Sequence, residues 1–219
     1  MAAARTYGQR CGLALSLDLL GERWTLLIVR ELSRGPKRFG DLLDGLDGIG
    51  TNLLSARLKS LEEAGVVEKV TLPAPASVPA YGLGPRGRSL EPILEDLALW
   101  GFDLGGIEED GLRTRAAWAA MSMRAQMKRS GATPPDGVYA FEVGDEAFWL
   151  MVKDGESELR DGPPPFEADV KAAMGGDTFF EVATGKSKPG DTVATIEGDG
   201  QRLDLLLESF RLPELPSAS

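Results

Sequence analysis

Three polar residues in one short segment have side chains that suit contacts with a nucleic acid. Asn52, Ser55 and Lys59 provide an amide, a hydroxyl and an ammonium group at spacings of three and four residues. At about 100° per residue, this spacing places them on one face of an α-helix. Amides and hydroxyls hydrogen-bond base edges, and cations bind phosphate. Taken alone, the pattern is more typical of a solvated helix face, so the surrounding elements must decide.

Basic residues on either side of this segment extend the candidate surface. Lys37 and Arg38 follow a Gly-Pro break and begin an amphipathic piece, where helix amides and cations can meet phosphate. Arg57 lies at the flank of an apolar stripe, and we expect it either to reach DNA or to pair with Glu62 or Glu63.

The sequence contains no histidine, which removes the usual general base, the commonest zinc ligand and the Ser-His relay. We therefore predict neither an enzyme nor a metal or other cofactor, and a binding protein becomes the default. Asp169 and Glu181 are carboxylates within an apolar region, but nothing in the sequence places them together. Catalysis by these carboxylates is a distant alternative.

Acidic residues outnumber basic ones, and the excess is concentrated in the second half. The formal charge is -10; residues 1–105 contain 12 basic and 13 acidic side chains, and the remainder contain 12 and 21. A nucleic-acid partner must bind the first half, and only modestly, because the second half repels phosphate. No apolar run approaches the roughly 20 residues of a membrane span, and residues 1–10 lack an export signal's apolar core. These features predict a cytoplasmic protein without a membrane partner.

Cys11 is the single cysteine, which excludes an internal disulfide and fits a reducing compartment. It precedes the first predicted helix, and Arg5, Arg10 and the helix N-terminus are positioned to lower the pKa of its thiol. The favoured interpretation is a small, inert, buried side chain, and a reactive thiol is the alternative.

Apolar spacing predicts three helices, a fourth helix with one polar face, a β-hairpin and a long closing helix within residues 1–105. The fourth helix, residues 51–64, carries the amide, hydroxyl and ammonium groups named above. The hairpin strands are "VVEKVTL" and "AYGL", and the loop between them, "PAPASVP", cannot join a sheet ladder. This order is that of a winged helix-turn-helix domain, in which one helix enters the major groove. The domain pattern favours DNA contact over an idle polar face.

The apolar stripes of these helices predict how they pack. Leu54, Leu58 and Leu61 form a narrow stripe that should bury the fourth helix, and Gly65 is the expected left-handed cap. The first and closing helices repeat apolar residues in the same way, at Leu13, Leu17, Leu20, Leu90, Ile93, Leu94, Leu97, Trp100 and Leu104.

The first half resembles the HxlR-type winged-helix regulators, relatives of the MarR group. The similar segments are "LDLLGERWTLLIVREL", "GPKRFGDLLDGLDGI", "LLSARLKSLEEAGVVEK" and "YGLGPRGRSLEPIL", which span roughly residues 7–104. The resemblance implies a homodimeric, sequence-specific protein that binds a double-stranded DNA operator, with its first and last winged-helix helices forming the dimer. Some relatives carry an oxidant-sensing cysteine near the position of Cys11. The residues expected to contact DNA are Lys37, Arg38, Thr51, Asn52, Ser55, Arg57, Lys59 and Arg86.

Two features depart from the family's pattern. The loop "PAPASVPA" has no Arg or Lys, whereas the family usually places a basic residue on this wing. Gly50 stands where the family tends to have a Ser-like cap, so we expect the helix start to rely on Thr51. The departures predict few phosphate contacts and a shallow dependence of DNA affinity on salt.

The second half alternates strands and helices. Residues 106–132, which include "RTRAAWAAMSMRAQMKRSGA", are predicted as a linker helix. Beyond it, "GVYAFEV", "AFWLMVKDG", "FEADVKAAM" and "DTVATIEGD" indicate strands, and "DTFFEVATG" and "GQRLDLLLESF" indicate helices. The predicted fold class is α+β: a winged helix-turn-helix domain, residues 1–105, followed by an α+β domain, residues 133–219.

The layout of residues 133–212 resembles the sterol carrier protein fold, a sheet with helices that enclose an apolar tunnel. The similar pieces are "DGVYAFEV", "AFWLMVKDGESELRDG", "FEADVKAAM", "FFEVATGK" and "ATIEGD". The resemblance implies a pocket for an elongated hydrophobic small molecule, such as a fatty acyl or sterol-like compound. Both faces of "AFWLMVKDG" are apolar, so each face needs a covering. The candidate ligand-binding residues, for which core packing is the alternative, are Trp118, Met121, Phe141, Phe148, Trp149 and Phe180.

The leading hypothesis is a dimeric transcription regulator whose DNA affinity responds to a hydrophobic ligand in the second domain. The alternative is a lipid carrier or scaffold whose winged helix serves only dimerisation, and the lack of basic residues on the wing favours it slightly.

Overall fold

The computed structural model describes residues 6–104, 115–183, 187 and 195–209. The chain divides into two compact units, Met1–Leu94 and Glu95–Ser219. None of the described helices combines the length and the apolarity that a membrane span requires.

The first unit begins with four helices that coincide with the predicted ones. Helix α2 ends before Gly35, which has a φ of +133°, and Pro36, whose ring cannot continue a helix. Buried side chains of α2, α3 and α4 form one apolar core that includes Ile28, Leu42 and Leu54. The bounds are α1 Gly12–Leu20, α2 Thr25–Ser33, α3 Phe39–Gly45 and α4 Thr51–Glu63.

The C-terminus of α4 is closed by the predicted glycine. Gly65 has a φ of +70°, and its amide donates to the Glu62 carbonyl at 3.0 Å. The Val66 amide donates to the Leu61 carbonyl at 2.9 Å. These two bonds are the Schellman pattern, which satisfies carbonyls at the end of the helix and fixes where the chain leaves it.

A β-hairpin follows α4 as predicted. Strands β1 (Val67–Thr71) and β2 (Pro79–Leu83) pair antiparallel, with Val67 opposite Leu83. The loop prediction was wrong at its last residue, because Pro79 pairs with Thr71 as the first residue of β2, a position that tolerates proline. Two backbone hydrogen bonds between Lys37 and Tyr81, of 2.9 and 2.8 Å, join the start of α3 to the hairpin.

The predicted closing helix is divided into α5 (Pro85–Arg88) and α6 (Glu91–Asp103). Gly87 is required in α5, because a Cβ there would lie 2.2 Å from the Val66 carbonyl oxygen. The boundary between the two units falls after Leu94, inside α6, whereas the sequence placed it at residue 105. The end of α6 belongs to the second unit because Leu99 packs on Ala125.

The outer faces of α1 and α6 keep large apolar side chains exposed. In α1 the buried residue is Ala14, and the predicted stripe is not covered at Leu13 and Leu17. In α6 the predicted stripe buries Leu94 but leaves Trp100 58% exposed. The exposed apolar residues of the two helices are Leu13, Leu15, Leu17, Ile93, Leu97 and Trp100.

The second unit is a five-stranded sheet with helices, in the order β5-β4-β3-β6-β7. Strands β3 and β6 are parallel, and the other neighbouring pairs are antiparallel. Every predicted strand and helix is present, although Phe210, predicted at the end of the last helix, lies outside the described residues. The bounds are α7 Ala116–Ser130, β3 Gly137–Val143, β4 Glu146–Lys153, β5 Glu156–Asp161, β6 Val170–Met174, α8 Gly176–Ala183, β7 Thr195–Gly198 and α9 Gly200–Ser209.

Helix α7 corrects the prediction of a linker. It buries residues on all sides, including Met121, Met123 and Met127, within the core that the sheet, α8 and α9 also form. A helix buried all round belongs to a domain core, and the small Ala side chains let it pack closely. Residues 105–114, the beginning of the predicted linker, lie outside the described part of the chain.

Strand β5 was not predicted from the sequence. Its sequence ESELRD is polar, and Leu159 is its one buried side chain. As an edge strand, β5 needs only one apolar side chain toward the core, so it lacks the alternation that identified the other strands.

Candidate nucleic-acid interface

Helix α4 presents the polar face that the sequence predicted. Leu54, Leu58 and Leu61 are buried against the core of the first unit, which fixes the rotation of the helix. Asn52, Ser55 and Lys59 are exposed to solvent, on the side away from these leucines. An amide, a hydroxyl and an ammonium group are thus held by a rigid helix and remain accessible to a partner.

The N-terminus of α4 lacks a capping side chain. Its N-cap is Gly50, in an extended conformation, and the Gly50 carbonyl accepts the Leu54 amide at 2.9 Å. Thr51, on which the helix start was expected to rely, is the first residue of the helix and is exposed. The first-turn amides of α4 therefore have no side-chain acceptor from the N-cap residue. Amides of this kind at a helix N-terminus are favourable for binding an anion.

The two basic residues before α3 have different environments. Arg38 is exposed, and its backbone amide donates to Asp41 Oδ2 at 3.0 Å as the N-cap of α3. Lys37 is 16% exposed, and its Nζ lies 3.9 Å from Oε2 of the fully buried Glu31. Glu31 also accepts hydrogen bonds from Arg34 at 2.8 Å and from Arg30 at 3.0 Å. This position argues against the predicted phosphate contact of Lys37, which serves a buried ionic cluster.

Arg57 and Arg86 both contact partners within the chain, and their contacts with DNA stay predictions. Arg57 Nη2 lies 2.6 Å from Glu22 Oε2, so its partner is neither Glu62 nor Glu63. Because Arg57 also donates to the Arg23 carbonyl, it ties α4 to the segment between α1 and α2. Arg86 Nη1 donates to the Ala64 carbonyl at 3.0 Å and so caps the end of α4. Both side chains position α4.

A further cation beside α4 was not identified from the sequence. Lys69, in β1, is exposed, and its Nζ lies 2.9 Å from Glu62 Oε2 at the end of α4. The hydrogen bond and the charge of Glu62 raise the pKa of Lys69 above its usual value. The prediction looked for basic residues in the wing loop, whereas this lysine lies in the strand that leads to it.

Ionic partners surround α4. Lys59 Nζ lies 3.9 Å from Glu63 Oε1, with both side chains mostly exposed. Arg88 Nη1 lies 3.7 Å from Glu68 Oε1 and also donates to the Leu83 carbonyl. Lys59, Lys69 and Arg88 thus each have a carboxylate nearby, which would weaken their attraction to phosphate.

The candidate ligand-binding residues of the second unit fall into separate groups. Phe141 and Phe148 stack with ring centroids 5.0 Å apart, and Phe179 packs on both edgewise. A cavity of about 10 Å³ adjoins this cluster, lined also by Ala120 and Met123. A volume of this size holds at most about one water molecule, so the core beside these rings is filled among the described residues.

The remaining candidates do not line this cavity. Trp149 is buried and packs edgewise on Phe166, with centroids 5.4 Å apart. Met121 is buried in α7, and Trp118 lies 5.7 Å from the guanidinium of Arg115. Phe180 is half-buried. The preceding residue, Phe179, belongs to the aromatic cluster but was not predicted as a ligand-binding residue.

Cys11 is exposed, which corrects the prediction of a buried thiol. Backbone hydrogen bonds from Ala14 and then Leu13, at the start of α1, lower the pKa of Cys11 below its usual value. The N-terminus of α1 is therefore the cause of the lowered pKa of Cys11, and the sequence predicted this cause beside the charges of Arg5 and Arg10.

The described residues contain no cluster of His, Cys, Asp and Glu able to hold a metal ion. Asp169 has a structural role: its Oδ2 accepts the Val138 amide at 2.7 Å, and its Oδ1 lies 3.5 Å from Arg202 Nη1. Glu181 accepts a hydrogen bond from Ser187 at 3.0 Å.

A helix-turn-helix with a β-hairpin wing and an exposed polar helix face defines a DNA-binding protein of the winged-helix class. Residues 19–108 match the HxlR-like helix-turn-helix family model. The HTH-type transcriptional regulator sll1512 of Synechocystis sp. is 36% identical over 96 residues, 44% of this chain and 71% of that protein. The chain therefore belongs to the HxlR-like helix-turn-helix family.

The sequence of a second relative agrees with this assignment. The HTH-type transcriptional regulator YodB of Bacillus subtilis is 34% identical over 85 residues, 39% of this chain and 76% of YodB. The crystal structure of reduced YodB from B. subtilis aligns with 30% identity and a TM-score of 0.39, covering 46% of this chain and all of that one (100%). The protein is a transcriptional regulator with a helix-turn-helix DNA-binding domain, and this family is not enzymatic.

Proposed function

We propose that two copies of the chain form a cytoplasmic dimer that binds a near-palindromic operator through α4 of each copy. The observation that carries this proposal is the exposed row of Asn52, Ser55 and Lys59 opposite the buried stripe of α4. Arg38 and Thr51 are exposed and complete the proposed contact set. Lys37 is left out because it lies mostly buried beside Glu31, and Arg57 and Arg86 because each also donates to a backbone carbonyl of the chain.

A gel-shift experiment with genomic fragments tests DNA binding. The wild type should retain specific fragments at moderate salt, and Lys59→Ala should weaken them. Lys153→Ala, an exposed lysine in the second unit, is the matched control and should bind like the wild type. The proposal fails if no fragment is retained, or if the two lysine variants behave alike.

The exposed apolar faces of α1 and α6 support a dimer. Exposed apolar patches of this kind are typical of interfaces, and the resemblance to the family implies a dimer formed by these helices. Leu97→Glu or Trp100→Glu should convert the dimer to a monomer in analytical ultracentrifugation. Leu205→Glu, an exposed leucine on α9, should leave the dimer intact. A wild-type monomer at all concentrations would contradict the dimer.

The second unit is proposed to bind a hydrophobic small molecule that alters DNA affinity. The support is its aromatic cluster and the apolar lining of the small cavity between α7, α8 and the sheet. Because a cavity of about 10 Å³ is too small for such a molecule, binding requires α7 or α8 to move away from the sheet. A ligand shifts DNA affinity only if it binds one arrangement of the dimer better than another.

Native mass spectrometry of freshly purified protein tests for a retained hydrophobic molecule. Ala120→Val, which adds two methyl groups to the cavity lining, should reduce retention, and Ala147→Val on the exposed part of β4 should not. Retention that is equal in both variants would contradict this site.

The exposure and lowered pKa of Cys11 support a role as an oxidant-responsive thiol. Mild peroxide should then give a disulfide-linked dimer band without reductant and should change operator binding. Cys11→Ser should abolish both effects, and an unchanged wild type would rule the role out.

A further inference from the structure

Lys69 and Glu62 form an ion pair at the border of α4 and the wing. Glu62 lies in the last turn of α4, and Lys69 lies at the centre of β1. Their side chains are 36% and 63% exposed, and the Nζ–Oε2 distance is 2.9 Å. The pair is short enough for a hydrogen bond but is open to solvent on the lysine side.

An exposed pair of this kind can exchange its anion. Surface ion pairs contribute little to stability, because water and salt solvate both charges. A DNA phosphate offers the ammonium group the same kind of acceptor oxygen as a carboxylate, within a dense row of negative charge. Lys69 can therefore leave Glu62 for a phosphate without disturbing the core.

The exchange has a consequence for DNA affinity. When Lys69 binds phosphate, the Glu62 carboxylate loses its partner and stays close to the DNA, which repels it. The loss does not depend on base sequence, because phosphate contacts carry no sequence information.

We propose that Lys69 is a phosphate-contacting residue and that Glu62 is the carboxylate it releases on binding, so that this pair limits affinity for DNA of any sequence. The proposal rests on DNA binding through α4 and adds two residues to that surface. Operator binding then depends on the base contacts of α4, because the phosphate contacts alone bind weakly.

Glu63 provides a matched comparison one residue away. Its Oε1 lies 3.9 Å from Lys59 Nζ, and the side chains are 69% and 75% exposed. Glu62→Gln and Glu63→Gln remove the same charge from the same helix turn. A general effect of net charge would make the two variants equal, whereas the proposed exchange makes Glu62→Gln the stronger.

The test measures binding of the full-length protein to a random-sequence duplex by fluorescence anisotropy, between about 50 and 200 mM salt. Glu62→Gln should raise affinity by about three- to tenfold, and Glu63→Gln by less than half of that factor. Lys69→Gln should lower affinity and reduce the slope of log affinity against log salt by about one. In the Lys69→Gln background, Glu62→Gln should have a smaller effect, because only the direct repulsion between Glu62 and DNA remains to be removed.

Three results would overturn the proposal while leaving DNA binding intact. They are equal gains for the two Glu variants, an unchanged salt slope for Lys69→Gln, and an undiminished effect of Glu62→Gln when Lys69 is absent. Circular dichroism and thermal unfolding of each variant separate these results from misfolding. If the wild type binds neither the duplex nor genomic fragments, the proposed function fails together with this inference.

Discussion

Helices α4 and α7 are of similar length but expose different parts of their surface. Of its 13 residues, α4 buries three leucines on one stripe, whereas α7 buries ten of its 15 residues. A helix with one buried stripe keeps a face for a partner, and a helix buried on all sides belongs to a core. The comparison leaves α4 with a face that is open to a partner and makes α7 part of the core of the second unit.

The charged side chains of the two helices also lie in different environments. On α4, Lys59 and Glu63 lie apart in solvent, where their charges are screened. On α7, Arg124 is 8% exposed and pairs with Glu95 of α6, which is 4% exposed and also lies 3.1 Å from Lys128. The exposed charges of α4 remain accessible to solvent, whereas the buried pair holds α6 and α7 together.

Breaking the buried pair should have the largest effect. Glu95→Gln leaves the Arg124 charge buried without a counter-charge of its own, and we expect the free energy of unfolding to fall by about 3–5 kcal/mol. Hydrogen exchange of the β3 and β4 amides measures this within the second unit. Glu208→Gln, on the exposed side of α9, is the control and should change the free energy by less than about 0.5 kcal/mol. Equal hydrogen-exchange rates of these amides in both variants would contradict the stabilising role of the buried Glu95–Arg124 pair.

The two faces of α4 should respond differently to truncation. Leu58→Ala removes a fully buried side chain and should cost about 2–5 kcal/mol of unfolding free energy. Ser55→Ala, three residues earlier on the exposed face, should change it by about 0.5 kcal/mol or less. Urea denaturation measures both values. A large loss for Ser55→Ala would show that this face has a structural role.

The residues on the exposed face of α4 should differ in whether they contact bases or phosphates. Asn52→Ala should reduce operator affinity about tenfold or more, because an amide that hydrogen-bonds a base edge discriminates by roughly 1–3 kcal/mol. The same variant should bind random-sequence DNA like the wild type, whereas Lys59→Ala should weaken both. Titrations of the two duplexes at one salt concentration measure the difference. An equal loss on both duplexes would make Asn52 a phosphate contact.

The smallest effect should come from Tyr139, buried in β3. Burial raises the pKa of Tyr139 to about 12 from its usual 10.0, and its hydroxyl donates to the Pro135 carbonyl at 2.7 Å. Because the folded state holds this proton more tightly than the unfolded state, the stabilisation is complete below pH 10 and is lost as the pH rises toward 12. Tyr139→Phe should flatten that part of the curve of unfolding free energy against pH. An identical curve would contradict the assignment.

Much of the fold could be predicted because burial leaves a periodic pattern. The leucine stripe of α4 and its closing Gly65 set both the rotation and the end of that helix. Helix α7 could not be placed from its pattern, because Ala, Met and Arg side chains packed on all sides give no single apolar face. Strand β5 was missed for the opposite reason, since a polar edge strand shows little alternation.

The candidate site was predictable in residue type but not in partner. The exposed side of α4 follows from helix geometry, so the exposure of Asn52, Ser55 and Lys59 was predicted correctly, and their contact with DNA stays a prediction. The ion pairs of Lys37 with Glu31 and of Arg57 with Glu22 depend on how helices pack in three dimensions. Such contacts cannot be predicted from the spacing of residues along the chain. The Lys69–Glu62 pair was missed for the same reason.

A guanine-methylation interference footprint on a retained genomic fragment tests the central claim most directly. If α4 enters the major groove in a dimer, interference should appear in two half-sites about one helical turn apart or a multiple of it. Asn52→Ala should alter the footprint at the equivalent position of each half-site, and Lys153→Ala should leave it unchanged. A footprint that is identical in the wild type, Asn52→Ala and Lys59→Ala would contradict DNA recognition by this face of α4.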